Sequence, residues 1–500
     1  MSAHTLPLVD RPVDSEFVKL VARILSFPAM LVSGLLFLTF WTCSTRFDDP
    51  DLWWHLKLGQ TMWSTGQIPS TDQFSFTAHG SYWIAHEWLS QTILYGVYQA
   101  GGLVGLQIGF CIVASLIVGL TYLLCSLWSG NWKVALVGGM GALVFLTVSL
   151  SIRPLLLGHL FLVLELLLLY AGIAKGRLVW MAALPVLFVI WANSHGSFLF
   201  GLALLCATVA GHCFRFEGWK LRRTGTAREL KWLGIVVALC MLAPLVNPVG
   251  PALAVYPIDV LLFQPDNTGS IQEWAALDLF EPRGMGLVGV LAFVIAMVVA
   301  FRRKLTAGEW CALLVTAGMA LQHTRMLPIF GFVACPIVCR MLAPFWENYD
   351  PRRDHPVVNA LLIGMAVYFS ISVVPTQAAI QKQISASEPV AAVAKMQAAD
   401  WPGPVLNEYV WGGFLLWANP DQPVFIDGRT DIYAWNGVLR EYGRWALVQE
   451  DPQLLLDRYK IRTCVIRAGA PMARVLAYLP GWKRVYEDEL AVVFTRPSLP

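Results

Sequence analysis

The sequence predicts an α-helical polytopic membrane domain of about eleven transmembrane helices, followed by a small C-terminal α/β domain. Three observations lead there. The 500 residues are 57% apolar and only 14% charged, well below the charge of a soluble chain of this length. Apolar runs near twenty residues recur from about residue 24 to residue 375, each long enough to cross a hydrocarbon core of ~30 Å. From residue 376 onward the composition turns into that of an ordinary soluble domain.

Taken in order, residues 1–23 form a basic segment with Arg11, Lys19 and Arg23 ahead of the first apolar run. No small-residue cleavage site follows, so that run reads as a signal anchor. Spans are expected near 24–43, 103–127, 134–150, 155–173, 178–192, 197–214, 232–249, 285–301, 305–321, 326–344 and 357–375. Lys and Arg set their orientation. With the N-terminus in the cytoplasm, eighteen basic residues fall on inner segments, among them Arg222, Arg223, Arg302, Arg303, Lys304, Arg352 and Arg353. The outer segments carry five: Arg46, Lys57, Arg153, Arg283 and Arg325. The expected location is a bacterial inner membrane, with the domain 376–500 extracytoplasmic.

Two outer loops are long, 44–102 and 250–284. The first holds Trp53, Trp54, Trp63, Trp83 and Trp88, a residue type that prefers the membrane–water boundary. Its stretches 51–64 and 84–99 read as helices lying on that boundary, joined by turn-rich residues 67–82. In the tail, strands are expected at 404–408, 423–427, 462–467, 483–487 and 490–495, and helices at 436–449, 452–459 and 471–478. Of the ten cysteines, Cys464 alone lies clearly in the tail, so no disulfide framework is expected there. Cys335 and Cys339, one turn apart in an apolar run, read as packing.

Polar groups are costly in a membrane protein, so their clustering is informative. They gather on the outer face: Asp48, Asp49, Asp51, His55, His79, His86 and Glu87 in the first loop, then Arg153, His159, Asn193, His195, Asn247, Glu273, His323 and Arg325. Asp51 and His55 are four apart and share a helix face, with Pro50 suited to a helix start. A carboxylate at the mouth of a membrane cavity can serve as general base or hold a divalent cation. An arginine at the depth of Arg153, like the pair His323 and Arg325, suits a lipid phosphate. His159 and His195 are candidates for the same anion. In the tail, Glu408, Trp411, Asp427, Arg429 and Asp431 stand at expected strand ends or turns, where α/β domains bind ligands.

The run Asp51-Leu-Trp-Trp-His-Leu-Lys57 resembles the Asp-Pro-Tyr-Tyr-His-x-Arg run in the first external loop of oligosaccharyltransferase catalytic subunits, and more broadly the GT-C superfamily of membrane glycosyltransferases. Ser270-Ile-Gln-Glu273 is similar to that family's Ser/Thr-Ile/Val-x-Glu motif. Asn407-Glu-Tyr-Val-Trp-Gly-Gly-Phe414 resembles its Trp-Trp-Asp-Tyr-Gly acceptor motif, with Asp427-Gly-Arg-Thr430 following. The order of parts agrees along the chain. The chain is also similar to bacterial membrane proteins described only as glycosyltransferase-like. The resemblance implies a GT-C-like fold, a polyprenyl-phosphate-linked sugar as donor, and Asp51 or Asp49 as the key acid. It implies acceptor contacts at Glu273, Glu408, Trp411, Asp427 and Arg429. It departs from the family at Ser151-Ile-Arg-Pro154, where Arg153 stands in place of a second acidic motif; a divalent metal (Mg or Mn) on Asp49 and Asp51 is therefore an open expectation.

The expected activity is glycosyl transfer at the outer face of the inner membrane, with Asp51, Asp49 and His55 as its catalytic residues. The partners are membrane lipid, the lipid-linked sugar and an acceptor glycan, lipid or protein, with no nucleic acid. Two other classes stay in view: a lipid or solute flippase, for which Glu165 in the fourth span is the one clear buried acid, and a non-catalytic partner in surface-polysaccharide assembly.

Overall fold

A computed structural model describes residues 16–217, 220–263 and 274–497. Helices dominate, and each of the eleven expected spans coincides with one. Six helices among the described residues are long and apolar enough to cross a membrane, seven if the Pro356–Ser372 and Gln377–Ser387 pair, bent by 57°, counts as one. Several of the other expected spans fold as shorter helices of 16 residues, such as Phe198–Cys213, Ala227–Leu242 and Ala307–Gln322. The chain is a multi-pass membrane protein in its apolar helices.

Local chemistry sets the boundaries that matter for the site. Helix Leu52–Thr65 opens after Asp51 and closes at Gly66, whose φ of 68° suits a residue without Cβ. The second surface stretch runs from Trp88 into the next span, which ends at Ser129. The two parts meet at a kink where Gly102 takes φ 59° and ψ −151°, a conformation open to glycine. Helix Pro154–Leu169 starts on a proline, with Arg153 in extended conformation just ahead of it.

The tail has a four-stranded sheet in the order Val405–Asn407, Thr463–Arg467, Ala491–Thr495, Lys483–Glu487. The first pair is parallel and the others antiparallel. Helices Val438–Ala446, Pro452–Arg458 and Pro471–Tyr478 fall where expected. The expected strand at 423–427 is not formed. The Asn407 side chain accepts from Phe425 N at 2.9 Å and donates to Ile426 O at 2.8 Å, taking bonds a neighbouring strand would have made. The same residues turn instead to the first long loop: Val424 N donates to Phe74 O and Phe76 N to Val424 O, both at 3.1 Å.

That exchange fixes the tail against the loop. Helix Gly412–Ala418 lies on Leu52–Thr65, with Phe414 edge-on to Trp53 at 5.3 Å between ring centroids. Two glycines permit the approach. A Cβ on Gly413 would stand 2.9 Å from Pro50 O, and one on Gly428 only 2.1 Å from Asp51 Oδ1. First loop and tail therefore meet around Asp51.

Candidate functional site

The two acids of the first loop are joined by Arg153, which arrives from the start of a helix about a hundred residues on. Asp49 bonds Arg153 Nε through one carboxylate oxygen, and its other oxygen accepts from Asp51 N at 2.9 Å. Asp51 lies 3.4 Å from Arg153 Nη1 and accepts from Trp54 Nε1 at 3.2 Å. Asp49 is enclosed; the Asp51 side chain keeps 25% of its surface and Arg153 22%. A carboxylate pair bridged by one guanidinium is well matched in charge-assisted hydrogen bonds.

This donor set does not fit a firmly held divalent cation. A hard cation needs several oxygen ligands, and here a guanidinium engages both carboxylates. Among the described residues, no group of three or more His, Cys, Asp or Glu side chains is placed to hold a metal ion. The expected Mg or Mn on Asp49 and Asp51 thus meets an arginine in its way.

Beside this group lies a second one that the sequence named but gave no role. Glu87, at the start of the Trp88 helix, is ringed by imidazoles: His195 Nε2 at 3.4 Å, His86 Nε2 at 3.7 Å and His55 Nδ1 at 3.8 Å. Burial pushes the Glu87 carboxyl up to about 8, with Asp51 and Asp431 adding to the effect against Arg325 and Arg153. Burial holds His55, His86 and His195 below the usual imidazole value. Gln91 Nε2 stands 3.1 Å from His55 Nδ1, and Ser197 N donates to His195 Nδ1 at 3.0 Å. The His86 ring lies tilted against Tyr256, 4.3 Å between ring centroids, and the Tyr256 hydroxyl donates to Asp431 Oδ2 at 2.8 Å. Three segments far apart in sequence are thus linked through one tyrosine.

The expected phosphate ligands divide. His195 faces Glu87 at 3.4 Å, and Arg325 and Arg153 each lower the Glu87 carboxyl. His159 is buried, with Nε2 lacking a hydrogen-bond partner among the described residues and its ring edge-on to Phe332. His323 is spent on structure: its Nδ1 donates to Trp274 O at 2.7 Å, and Arg325 lies over the Trp274 ring at 4.6 Å.

The expected acceptor contacts fare differently. Glu273 lies outside the described residues. Glu408 is half-buried and accepts from Arg467 N at 3.3 Å; burial raises its carboxyl. Trp411 is buried, donating to Ser387 O at 2.9 Å. Asp427 and Arg429 are buried in a closed network: Arg429 grips Asp427 through two hydrogen bonds of 2.8 and 2.6 Å and reaches Asp72 of the first loop at 2.7 Å. Tyr433 also donates to Asp427, and Ser75 to Asp72. The direct acceptor role expected for Trp411, Asp427 and Arg429 does not fit this burial, because their polar atoms are already bonded within the protein. They seat the tail on the loop.

One acid missed in the sequence is Glu388, just past the last helical pair. It accepts from Trp53 Nε1 at 3.2 Å, and burial pushes it up to about 8, with Asp49 and Asp51 near enough to contribute. Glu165, the acid that a flippase would use, is fully buried with neither carboxyl oxygen hydrogen-bonded among the described residues, packed near Trp191 and Gly201. An apolar cavity of about 450 Å³, lined by Trp128, Leu169, Tyr170, Gly211 and Arg340 among others, lies toward the opposite ends of these helices from Asp51.

No protein-family model and no curated protein matches the chain. Solved structures do. The archaeal oligosaccharyltransferase AglB from Archaeoglobus fulgidus, in complex with an inhibitory peptide and a dolichol-phosphate, aligns with a TM-score of 0.58 at 12% identity, over 97% of this chain and 75% of that one. The Archaeoglobus fulgidus oligosaccharyltransferase tethered to an acceptor peptide gives 0.53 at 12% identity, over 97% and 74%. ArnT from Cupriavidus metallidurans in the apo state gives 0.44 at 14%, over 97% and 99%. At these identities the likeness is one of fold, and it rests on the first two. The helical membrane domain, the long first loop and the docked C-terminal domain together share the fold of these two Archaeoglobus fulgidus oligosaccharyltransferase structures.

Proposed function

We propose that this protein transfers a sugar from a polyprenyl-phosphate-linked donor to an acceptor at the outer face of a bacterial inner membrane. The observation that carries this reading is the meeting of Asp49, Asp51 and Arg153 under the docked tail, beside the ring of histidines around Glu87. The fold is that of enzymes whose solved structures hold a dolichol-phosphate and peptides, and the outer orientation follows from the bias of Lys and Arg.

The roles follow from burial. Asp49 is enclosed and bonded to Arg153, so it positions. Asp51, the more exposed acid, takes the proton of the acceptor hydroxyl as that oxygen attacks the anomeric carbon. The bond from that carbon to the phosphate oxygen breaks, and its electron pair leaves on the lipid phosphate. Arg325 offsets the charge of that phosphate and the neutral His195 donates its Nε2–H to it, with Arg153 at its edge. No step is routed through a metal. The tail shields the site from water and, with Glu408 and the segment containing Glu273, shapes the acceptor side.

The test uses membranes carrying the full chain and a panel of radiolabelled polyprenyl-phosphate hexoses. The wild type transfers label to envelope material. Asp51→Asn loses about 10²–10⁴-fold, and Asp49→Asn loses less. Movement of lipid or solute without transfer from any donor would replace this reading with the flippase.

A further inference from the structure

Glu87 has an arrangement that an ordinary buried carboxylate would not choose. Tautomers can be assigned from the partners of each imidazole. Ser197 N–H donates to His195 Nδ1, so the His195 proton sits on Nε2, which faces Glu87 Oε1 at 3.4 Å. Ile84 O lies 3.3 Å from His86 Nδ1 and requires the proton there. His86 Nε2, 3.7 Å from Glu87 Oε1, is then a lone pair. With Gln91 donating to His55 Nδ1, that nitrogen is a second lone pair, 3.8 Å from Glu87 Oε2. Two lone pairs facing an ionised carboxylate repel it; a protonated carboxyl, with one O–H to give, suits the same ring.

The surrounding charges sharpen the point. Arg153 and Arg325 both act on Glu87, and so do Asp51 and Asp431. Two arginines and the His195 Nε2–H make a site for a phosphate, and a negative charge among them would compete with it.

We propose that Glu87 belongs to the phosphate site and must be neutral for a lipid phosphate to bind, so that this carboxyl gates donor affinity. This rests on the lipid-phosphate reading above and adds a residue and a pH dependence to it. Ionisation of Glu87 sets a second negative charge against the incoming phosphate. Its carboxyl, pushed up to about 8, is neutral at pH 7 and ionised above 8. The other facing groups hold their charge across that window. Burial keeps His55, His86 and His195 neutral there, and Tyr256, pushed well up by burial, stays protonated. Arg325 and Arg153 lower the Glu87 carboxyl, while Asp51 and Asp431 raise it.

The experiment measures binding of farnesyl phosphate to the purified full chain in detergent between roughly pH 7 and 9.5. The second ionisation of a phosphate monoester lies at about 6, outside that window. Wild-type affinity is expected to stay level up to pH ~8 and then to weaken about tenfold per unit. Glu87→Gln copies the neutral carboxyl, so it binds as the wild type does at pH 7 and loses the alkaline fall. Arg325→Gln binds more weakly at every pH and moves the break to higher pH, because Arg325 no longer lowers the Glu87 carboxyl, which decides the matter even where Glu87→Gln does not fold. A wild type with level affinity to pH 9.5, or a Glu87→Gln protein that keeps the wild-type break, overturns the proposal alone. Failure of every variant to bind farnesyl phosphate at any pH overturns it together with the lipid-phosphate reading.

Discussion

Two Asp–Arg–Asp groupings sit within one assembly of loop and tail, and they differ in what surrounds them. In the first, Arg429 joins Asp427 to Asp72, with side chains at most 1% exposed, flanked by Tyr433 and Ser75 and by the rings of Phe74 and Trp83. Burial works against the charge on Arg429, and the two carboxylates more than offset it. In the second, Arg153 joins Asp49 to Asp51 while keeping about a fifth of its side-chain surface. The chemistry is shared; solvent access separates a clamp from a site. A closed network leaves nothing for a substrate to bind, whereas Asp51 and Arg153 each keep a face open.

That contrast can be broken in graded ways. Arg429→Ala leaves two buried carboxylates without their cation and should cost about 3–5 kcal/mol, read as an earlier thermal unfolding of the tail. Arg153→Gln should cost less in unfolding than Arg429→Ala, since only Asp49 of its two partners is enclosed, and should lower transfer by about 10²–10³-fold, or ~2.7–4 kcal/mol. Gly428→Ala tests the seam between the two groupings. Its new methyl would stand 2.1 Å from Asp51 Oδ1, so a cost of about 1–3 kcal/mol is expected, together with weaker transfer as Asp51 is displaced.

A smaller effect is expected at Glu388. Its carboxyl is raised to about 8, chiefly by burial, so the folded state holds a proton that the unfolded chain gives up near its ordinary value of 4.5. The associated stability is present at low pH and is lost as pH rises toward 8. Thermal unfolding of the wild type should move down across that window, and Glu388→Gln, which keeps an acceptor for Trp53, should lose this component. The smallest effect is expected from a chelator: transfer should fall less than about twofold, because Arg153 already engages both acids. A strong loss restored by Mg or Mn would assign Asp49 and Asp51 to a cation after all.

Much of the helical plan was legible, because apolar runs and their charged connections are local signals. The helix at Leu52, the kinked Trp88 helix and the sheet strands were visible in turn residues and hydrophobic pattern. The pairing of Val424 with the first loop was not, since nothing local distinguishes a strand that joins its own sheet from one that crosses to another segment. Asp49, Asp51 and Arg153 could be picked out as costly polar groups, but the bond among them spans about a hundred residues. Asp427 and Arg429 misled for the converse reason: Asp-Gly-Arg after a strand-like run has the look of a ligand turn, and its partner, Asp72, lies in a stretch that reads only as turns. Glu87 stood in plain sight within a polar cluster; what gives it a role is the ring of three histidines, two from the first loop and one from a turn after the fifth expected span.

The most direct measurement sets Asp51→Asn beside Asp427→Asn, scoring thermal unfolding and transfer from a radiolabelled polyprenyl-phosphate hexose in the same membranes. The account predicts that Asp51→Asn unfolds as the wild type does and loses at least about a hundredfold in transfer, while Asp427→Asn unfolds earlier and keeps its turnover in whatever fraction remains folded. Wild-type transfer in Asp51→Asn, or a specific loss of turnover in a fully folded Asp427→Asn, would contradict it.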